Sequence, residues 1–265
     1  AAVDDGHMFG IFSAECYLTG RRLLDLRPDV PLGMVSSCWS GSMIQPWMAP
    51  SALAYCPFAQ AHGSAMPFAD SQMFNAMIAP LLRLTPAAIL WHQGEENAGN
   101  PVEYRCFFQA LIRDWREQFD VPNLPFNFVQ LQPCTIPPAQ RYAQAMAAQE
   151  LEAVGMATAV DLLDPGLLGS PTCQGFHQFP NCTNPNGMCH SRWKSEVADR
   201  LVALTARALF NSSTLDQVRR SELKQKNAPV LPALSPTVTK VVSIQATDYR
   251  DYKVTLALAM PAGTN

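Results

Sequence analysis

The sequence predicts an α/β fold in which a parallel sheet is covered by helices on both faces, with a shorter β-rich segment after it. Three observations carry this reading. Short apolar runs alternate with longer stretches whose apolar residues recur every three or four positions; polar clusters fall where the apolar runs stop; and this rhythm ends near residue 211.

Each element has its own signal. Residues 8–26, MFGIFSAECYLTGRRLLDL, repeat apolar residues at helical spacing and end basic, which suits the partial negative charge of a helix carboxyl end. VPLGMVSS, residues 30–37, is a short apolar run ending in small polar residues, a strand that leads into the loop SCWSGSM. Residues 72–82 read as helical and 86–92, PAAILWH, as the next buried strand. In residues 103–119, Phe107, Leu111, Trp115 and Phe119 stand four apart, so one helix face is apolar and the other charged. PFNFVQLQP, 125–133, and GMATAVDLLD, 155–164, are further strands, separated by the helical AQRYAQAMAAQELEAV, and residues 191–210 form the last helix. Beyond it, a polar stretch precedes TVTKVVSIQATDYRDYKVTLALAM, which alternates as strands do. The boundary predicted from this change separates residues 1–214 from 215–265, the latter a linker and the opening strands of a second, β-rich domain.

Composition narrows the function classes. With 265 residues, 48% hydrophobic and 15% charged, the chain buries a large core, and its net charge of −3 offers no attraction for nucleic acid or an anionic membrane. A small-molecule or glycan substrate is the better expectation. No apolar run approaches the length of a membrane span, and the start AAVDDGHMFG, without Met or a basic and apolar leader, reads as an excerpt or a processed product. The eight cysteines include no CxxC pair, which argues against zinc or thioredoxin-like chemistry and fits disulfides in an oxidising compartment. Glycosylation triplets at Asn181 and Asn211 point the same way, to a secreted or lysosomal protein.

Ligands of open parallel sheets bind beyond the carboxyl ends of the strands. Polar clusters fall at such ends here: Ser36 to Ser42, His92 to Asn97, Gln130 to Gln132, and Asp161 with Asp164, while His190 opens the final helix.

The ordered motifs FSAECYLTGRRLLD, LGMVSSCWSGSMIQPW, FNAMIAPL, LWHQGEENAGNPVEYRCFFQALIRDWREQF and PFNFVQLQP resemble those of the sialate O-acetylesterases, a branch of the SGNH (GDSL-like) hydrolases. The match extends over residues 9–133 and more loosely over 139–210. It implies a flavodoxin-like, three-layer fold, a Ser–His acyl-enzyme mechanism and no metal or organic cofactor. Residue by residue, it implies that Gly41 and Asn97 form the oxyanion hole, that His190 is the general base, and that Gln93 and Glu95 brace their loop. Trp39 is the tryptophan expected nearest the substrate.

Departures from the family pattern shape the expectation. The Gly-Gln-Ser-Asn-Met nucleophile motif occurs nowhere in the chain, so the nucleophile is expected outside it, and an amino-terminal fragment carrying that Ser is a conceivable partner. The loop has Ser40-Gly41-Ser42 where the family has Gly-Gly-Thr, and Gln45 replaces the usual acidic residue. Two positions before His190 stands Met188, where bacterial relatives place an Asp; Asp164, or Asp161, is left to orient the base. A disulfide among Cys173, Cys182 and Cys189 could hold the histidine loop, with pairing open. His177 is a rival base, and His92 reads as a packed, hydrogen-bonded histidine. The alternatives to a sialic acid esterase are an acetylxylan-type esterase and a carbohydrate-binding relative without catalysis.

Overall fold

The computed structural model describes residues 12–57, 68–132, 136–162 and 191–210 in full, and the backbone of two strands at 237–248 and 251–259. Asp164, His177, Asn181, His190 and Asn211, and the disulfide expected among Cys173, Cys182 and Cys189, lie outside these residues.

Three parallel strands, β1 (Ile89–Trp91), β2 (Phe126–Gln130) and β3 (Val154–Thr158), pair in the order β1-β2-β3, with Ile89 opposite Phe126 and Phe126 opposite Val154. The helices are α1 (Ala14–Leu26), α2 (Pro50–Tyr55), α3 (Pro101–Gln118), α4 (Pro138–Glu150) and α5 (Lys194–Leu209). Alternation along β2 builds the layers, because successive side chains point to opposite faces. Phe126 and Phe128 join the core shared with Phe107, Phe108, Leu111 and Trp115 of α3 and Ala143 and Ala147 of α4. Val129 joins Ala157 of β3 and Val197 and Leu201 of α5 on the other face. Asn127 points the same way as Val129 and donates from Nδ2 to Thr205 Oγ1 of α5 at 3.0 Å. α1 packs against α5, with its Leu23 and Leu26 on Val202 and Ala206. This is the SGNH-like three-layer α/β arrangement.

Local chemistry accounts for the element ends. Ser13 caps α1, its Oγ accepting from Cys16 N–H at 3.3 Å, and Pro101 and Pro138 open α3 and α4, where a missing N–H costs nothing. The helix expected at 72–82 is instead a π turn (Phe74–Ile78) followed by a 3₁₀ turn (Ala79–Leu81). Pro80, with no N–H and a ring that crowds the preceding turn, prevents a continuous α-helix there.

The strand expected at 30–37 is also corrected. Residues 31–39 take part in no ladder, and Val30, Leu32, Met34 and Val35 are exposed. A strand exists through its neighbour's N–H and C=O groups, and among the described residues none pairs with this segment. It is held instead against α1: Gly20 leaves the space in which Met34 sits, and Ser13 N–H donates to Ser36 Oγ.

Two long-range ties complete the core. A disulfide joins Cys56, just past α2, to Cys106 on α3, while Cys16 and Cys38 are free thiols. The buried Arg116 guanidinium donates to the carbonyls of Leu124, Glu152 and Ala153, tying together the loops that lead into β2 and β3. Near the carboxyl end, β4 (Thr237–Asp248) and β5 (Asp251–Ala259) form an antiparallel hairpin whose register shifts three times. Among the described residues no helix is long and apolar enough to cross a membrane.

Gly155 is the glycine that this packing requires. A Cβ there would stand 2.3 Å from Asn127 Oδ1 and 3.1 Å from Leu204. Gly155→Ala therefore forces the buried amide off Thr205 and should destabilise the fold by about 1–3 kcal/mol, read as a lowered urea midpoint at unchanged slope.

Candidate active site at the carboxyl ends of the strands

The loop leaving β1, residues 92–97, enters the protein interior and must find partners for its backbone there. The Gln93 carbonyl accepts from Tyr104 Oη at 3.1 Å and from Gln144 Nε2 at 3.2 Å, and the Gly94 carbonyl accepts from Gln140 Nε2 at 3.1 Å. Burial pushes the Tyr104 hydroxyl well above the ordinary tyrosine value, so it remains a donor. Gly94 has φ +138°, and a Cβ would meet Leu131, Tyr104 Oη and Gln140 Nε2 at 3.2–3.3 Å. Only glycine satisfies both the backbone angle and the space.

This anchored loop then locks the loop that follows residues 31–39. Asn97, 2% exposed, accepts at Oδ1 from Ile44 N–H (2.9 Å) and Gln93 Nε2 (2.9 Å), and donates from Nδ2 to Gln45 Oε1 (3.0 Å). Gln93 Nε2 also donates to the Ser42 carbonyl at 3.1 Å. Ser42 Oγ donates to the Trp39 carbonyl and accepts from Trp47 Nε1, each at 2.8 Å. Gly41, exposed and at φ +69°, thus lies next to a residue fixed from both sides. Trp39 is half-buried and meets Phe68 edge to face at 5.3 Å, whereas Trp47 and Trp91 are buried in the core.

A second cluster borders the loop. His92 Nδ1 is 2.8 Å from Glu15 Oε2 in the first turn of α1, and Lys194 Nζ, at the start of α5, donates to Glu15 Oε1 at 2.9 Å. Glu95 Oε1 lies 3.9 Å from His92 Nε2. Burial pushes Glu15 up, but the His92 imidazolium and Lys194 ammonium outweigh it and hold the carboxyl at about 2. Burial pushes His92 down, yet Glu15, helped by Glu95 and opposed by Lys194, raises it above 6.5.

The sequence-derived site residues thus fall into three groups. Gly41, Trp39, Gln93, Glu95 and Asn97 lie on two loops joined by hydrogen bonds. Asp161 faces elsewhere: it forms a two-pronged pair with Arg200, at 2.6 and 2.5 Å, that lowers its pKa. His190 and Asp164 are outside the described residues, although His190 directly precedes Ser191, itself buried next to α5. Sequence reasoning missed Glu15 and Lys194. Their contacts span 77 and 179 residues, and no local pattern signals them. Among the described residues no group of three or more His, Cys, Asp or Glu could hold a metal ion.

A parallel sheet covered by helices on both faces, with polar loops gathered beyond the carboxyl ends of its strands, places the chain among the α/β folds that bind ligands at that edge. Residues 13–166 match the family model described as carbohydrate esterase, sialic acid-specific acetylesterase, and the chain belongs to that family. It is 37% identical over 143 residues to the sialate O-acetylesterase of Homo sapiens, covering 48% of this chain and 27% of that one. It is 33% identical over 162 residues to the Mus musculus sialate O-acetylesterase, covering 46% and 30%. The chain thus spans less than a third of the length of these relatives. The crystal structure of a carbohydrate acetylesterase from Xanthomonas citri shares the fold, with TM-score 0.63 and 24% identity over 95% of this chain and 48% of that one.

The charge cluster sets a pH window. Glu15 contributes stability above its ordinary 4.5, lost as pH falls toward about 2. His92 contributes stability that is complete below 6.5 and lost as pH rises through its elevated value. Thermal unfolding should show this contribution at its maximum between about pH 4.5 and 6.5, and Glu15→Gln should flatten the profile on both sides.

Proposed function

We propose that this chain forms the esterase core of an enzyme that removes O-acetyl groups from sialic acids through an acetyl-Ser intermediate. Residues 1–214 are the core, and 215–265 are a linker and the first strands of a β-rich accessory domain. The nucleophilic Ser comes from outside these residues. In this reading its Oγ attacks the acetyl carbonyl while His190, oriented by Asp164, takes the proton. His190 then returns the proton to the departing sugar hydroxyl, and water releases acetate by the reverse sequence. This chemistry needs no metal or organic cofactor.

The observation that carries the proposal is the hydrogen-bond lattice joining Gln93 and Asn97 to Ser42, Ile44 and Gln45. An amide nitrogen has two N–H groups, so among the described residues one on Asn97 remains after the bond to Gln45. That N–H and the Gly41 backbone N–H are the oxyanion donors in this reading. Gln93 and Glu95 support the loop and Trp39 faces the sugar.

Two further features fit. Within the described sheet β1 pairs with β2 alone, and residues 31–39 are in no ladder, so a strand delivering the Ser has an edge to join. The disulfide and the acceptor triplets at Asn181 and Asn211 suit a secreted or lysosomal enzyme.

The test is acetate release from 9-O-acetylated sialic acid and from acetylated xylan, by this chain alone and by the chain extended with its encoded upstream sequence. Activity on sialic acid in the extended form is expected. It should fall on the order of 10²–10⁴-fold in His190→Ala and on the order of 10²–10³-fold in kcat in Asn97→Asp. Preference for xylan would move the substrate assignment, and sugar binding without turnover in both forms would replace the enzyme by a binding protein.

A further inference from the structure

We infer that Glu15 is a positioning residue, a charged strut that holds the 92–97 loop and the amino-terminal end of α5 at a fixed separation. The inference rests on the esterase reading for its catalytic consequence, and on the coordinates alone for its mechanics.

Glu15 uses both carboxylate oxygens on different elements. Oε2 faces His92 Nδ1 on the residue that follows β1, and Oε1 accepts from Lys194 Nζ on the first residue of α5. Three segments far apart in sequence meet at one side chain that is 12% exposed, while His92 is 19% exposed. Water screens the Glu15–His92 contact poorly, and a carboxylate that bridges two cations, one oxygen to each, fixes direction as well as distance.

The geometry of α1 supports the same role. Ser13 caps the helix and also donates its N–H to Ser36 Oγ, and Arg22, about two turns beyond Glu15 on the same face, pairs with Asp199 Oδ1 at 2.8 Å and donates to Ser195 Oγ at 2.7 Å. α1 is therefore tied to α5 at two levels, and among the described residues Glu15 extends that tie to the 92–97 loop. The groups facing His92 are Glu15 from α1, Glu95 from its own loop and Lys194 from α5. Removing Glu15 leaves burial and Lys194 opposing the imidazolium, with Glu95 as its remaining support.

In the esterase reading, the strut's two ends adjoin the two halves of the chemistry. The 92–97 loop carries Asn97, and Lys194 stands four residues after His190. A displacement of about 1 Å between oxyanion donor and base costs on the order of 10²-fold in rate while leaving ground-state binding nearly unchanged.

The experiment compares Glu15→Gln, Lys194→Met and the double variant in the upstream-extended protein. Expected are a kcat lowered about 10- to 100-fold with KM little changed in Glu15→Gln, and no further loss in the double variant. A His92 imidazole titration followed by NMR should move to lower pH in Glu15→Gln, and amide exchange should accelerate in residues 92–97 and 191–197 together. An unshifted His92 titration, or exchange that accelerates in one segment only, overturns the strut. If the extended wild-type protein releases no acetate, the esterase reading fails while the titration and exchange still decide the strut. Should Glu15→Gln fail to fold, Lys194→Met with exchange as the readout carries the same decision.

Discussion

The rest of the structure depends on satisfying two buried carbonyls, those of Gln93 and Gly94. A chain that leaves a sheet into the interior must hydrogen-bond its backbone within the protein or lose several kcal/mol. Tyr104 from α3 and Gln140 and Gln144 from α4 supply the donors. Once their side chains are committed to this task, α3 and α4 are fixed in rotation about their axes, and their apolar faces meet Phe126 and Phe128 of β2. The polar rim and the hydrophobic core are thus one construction. Gly94 is its narrowest point, because any side chain there would collide with the donors.

From that anchored loop, order spreads by side-chain amides. Gln93 and Asn97 reach across to Ser42, Ile44 and Gln45, so the loop at 39–47 is positioned by the β1 exit and not by a strand of its own. This explains how residues 31–39 can lack a ladder while the segment after them is tightly packed. The other face is held by charge. Glu15, His92 and Lys194 form a small cluster in which the attractions exceed the burial penalty on Glu15 and His92, as the lowered Glu15 and raised His92 values express.

Much of this was legible in advance, for identifiable reasons. α3 announces itself through Phe107, Leu111, Trp115 and Phe119, all of which are buried, because helical periodicity is a local property. The family motifs located Gly41, Gln93, Glu95 and Asn97 on two loops, which the structure joins. The misreadings have equally physical causes. VPLGMVSS has the composition of a strand, but pairing is supplied by a neighbour and not by the segment. Residues 72–82 have helical spacing, but one proline converts the helix into two tighter and wider turns.

What the sequence determined by itself was whatever depends on neighbours along the chain: the alternation of strands and helices, their apolar faces, and the motifs that identify a carbohydrate esterase family. Only the tertiary structure decided which cysteines pair, that Gly155 exists to admit Asn127, and that Glu15 meets both His92 and Lys194. These contacts join residues separated by 28 to 179 positions. At such separations the partner is chosen by the packing of whole elements, and no local spacing encodes it.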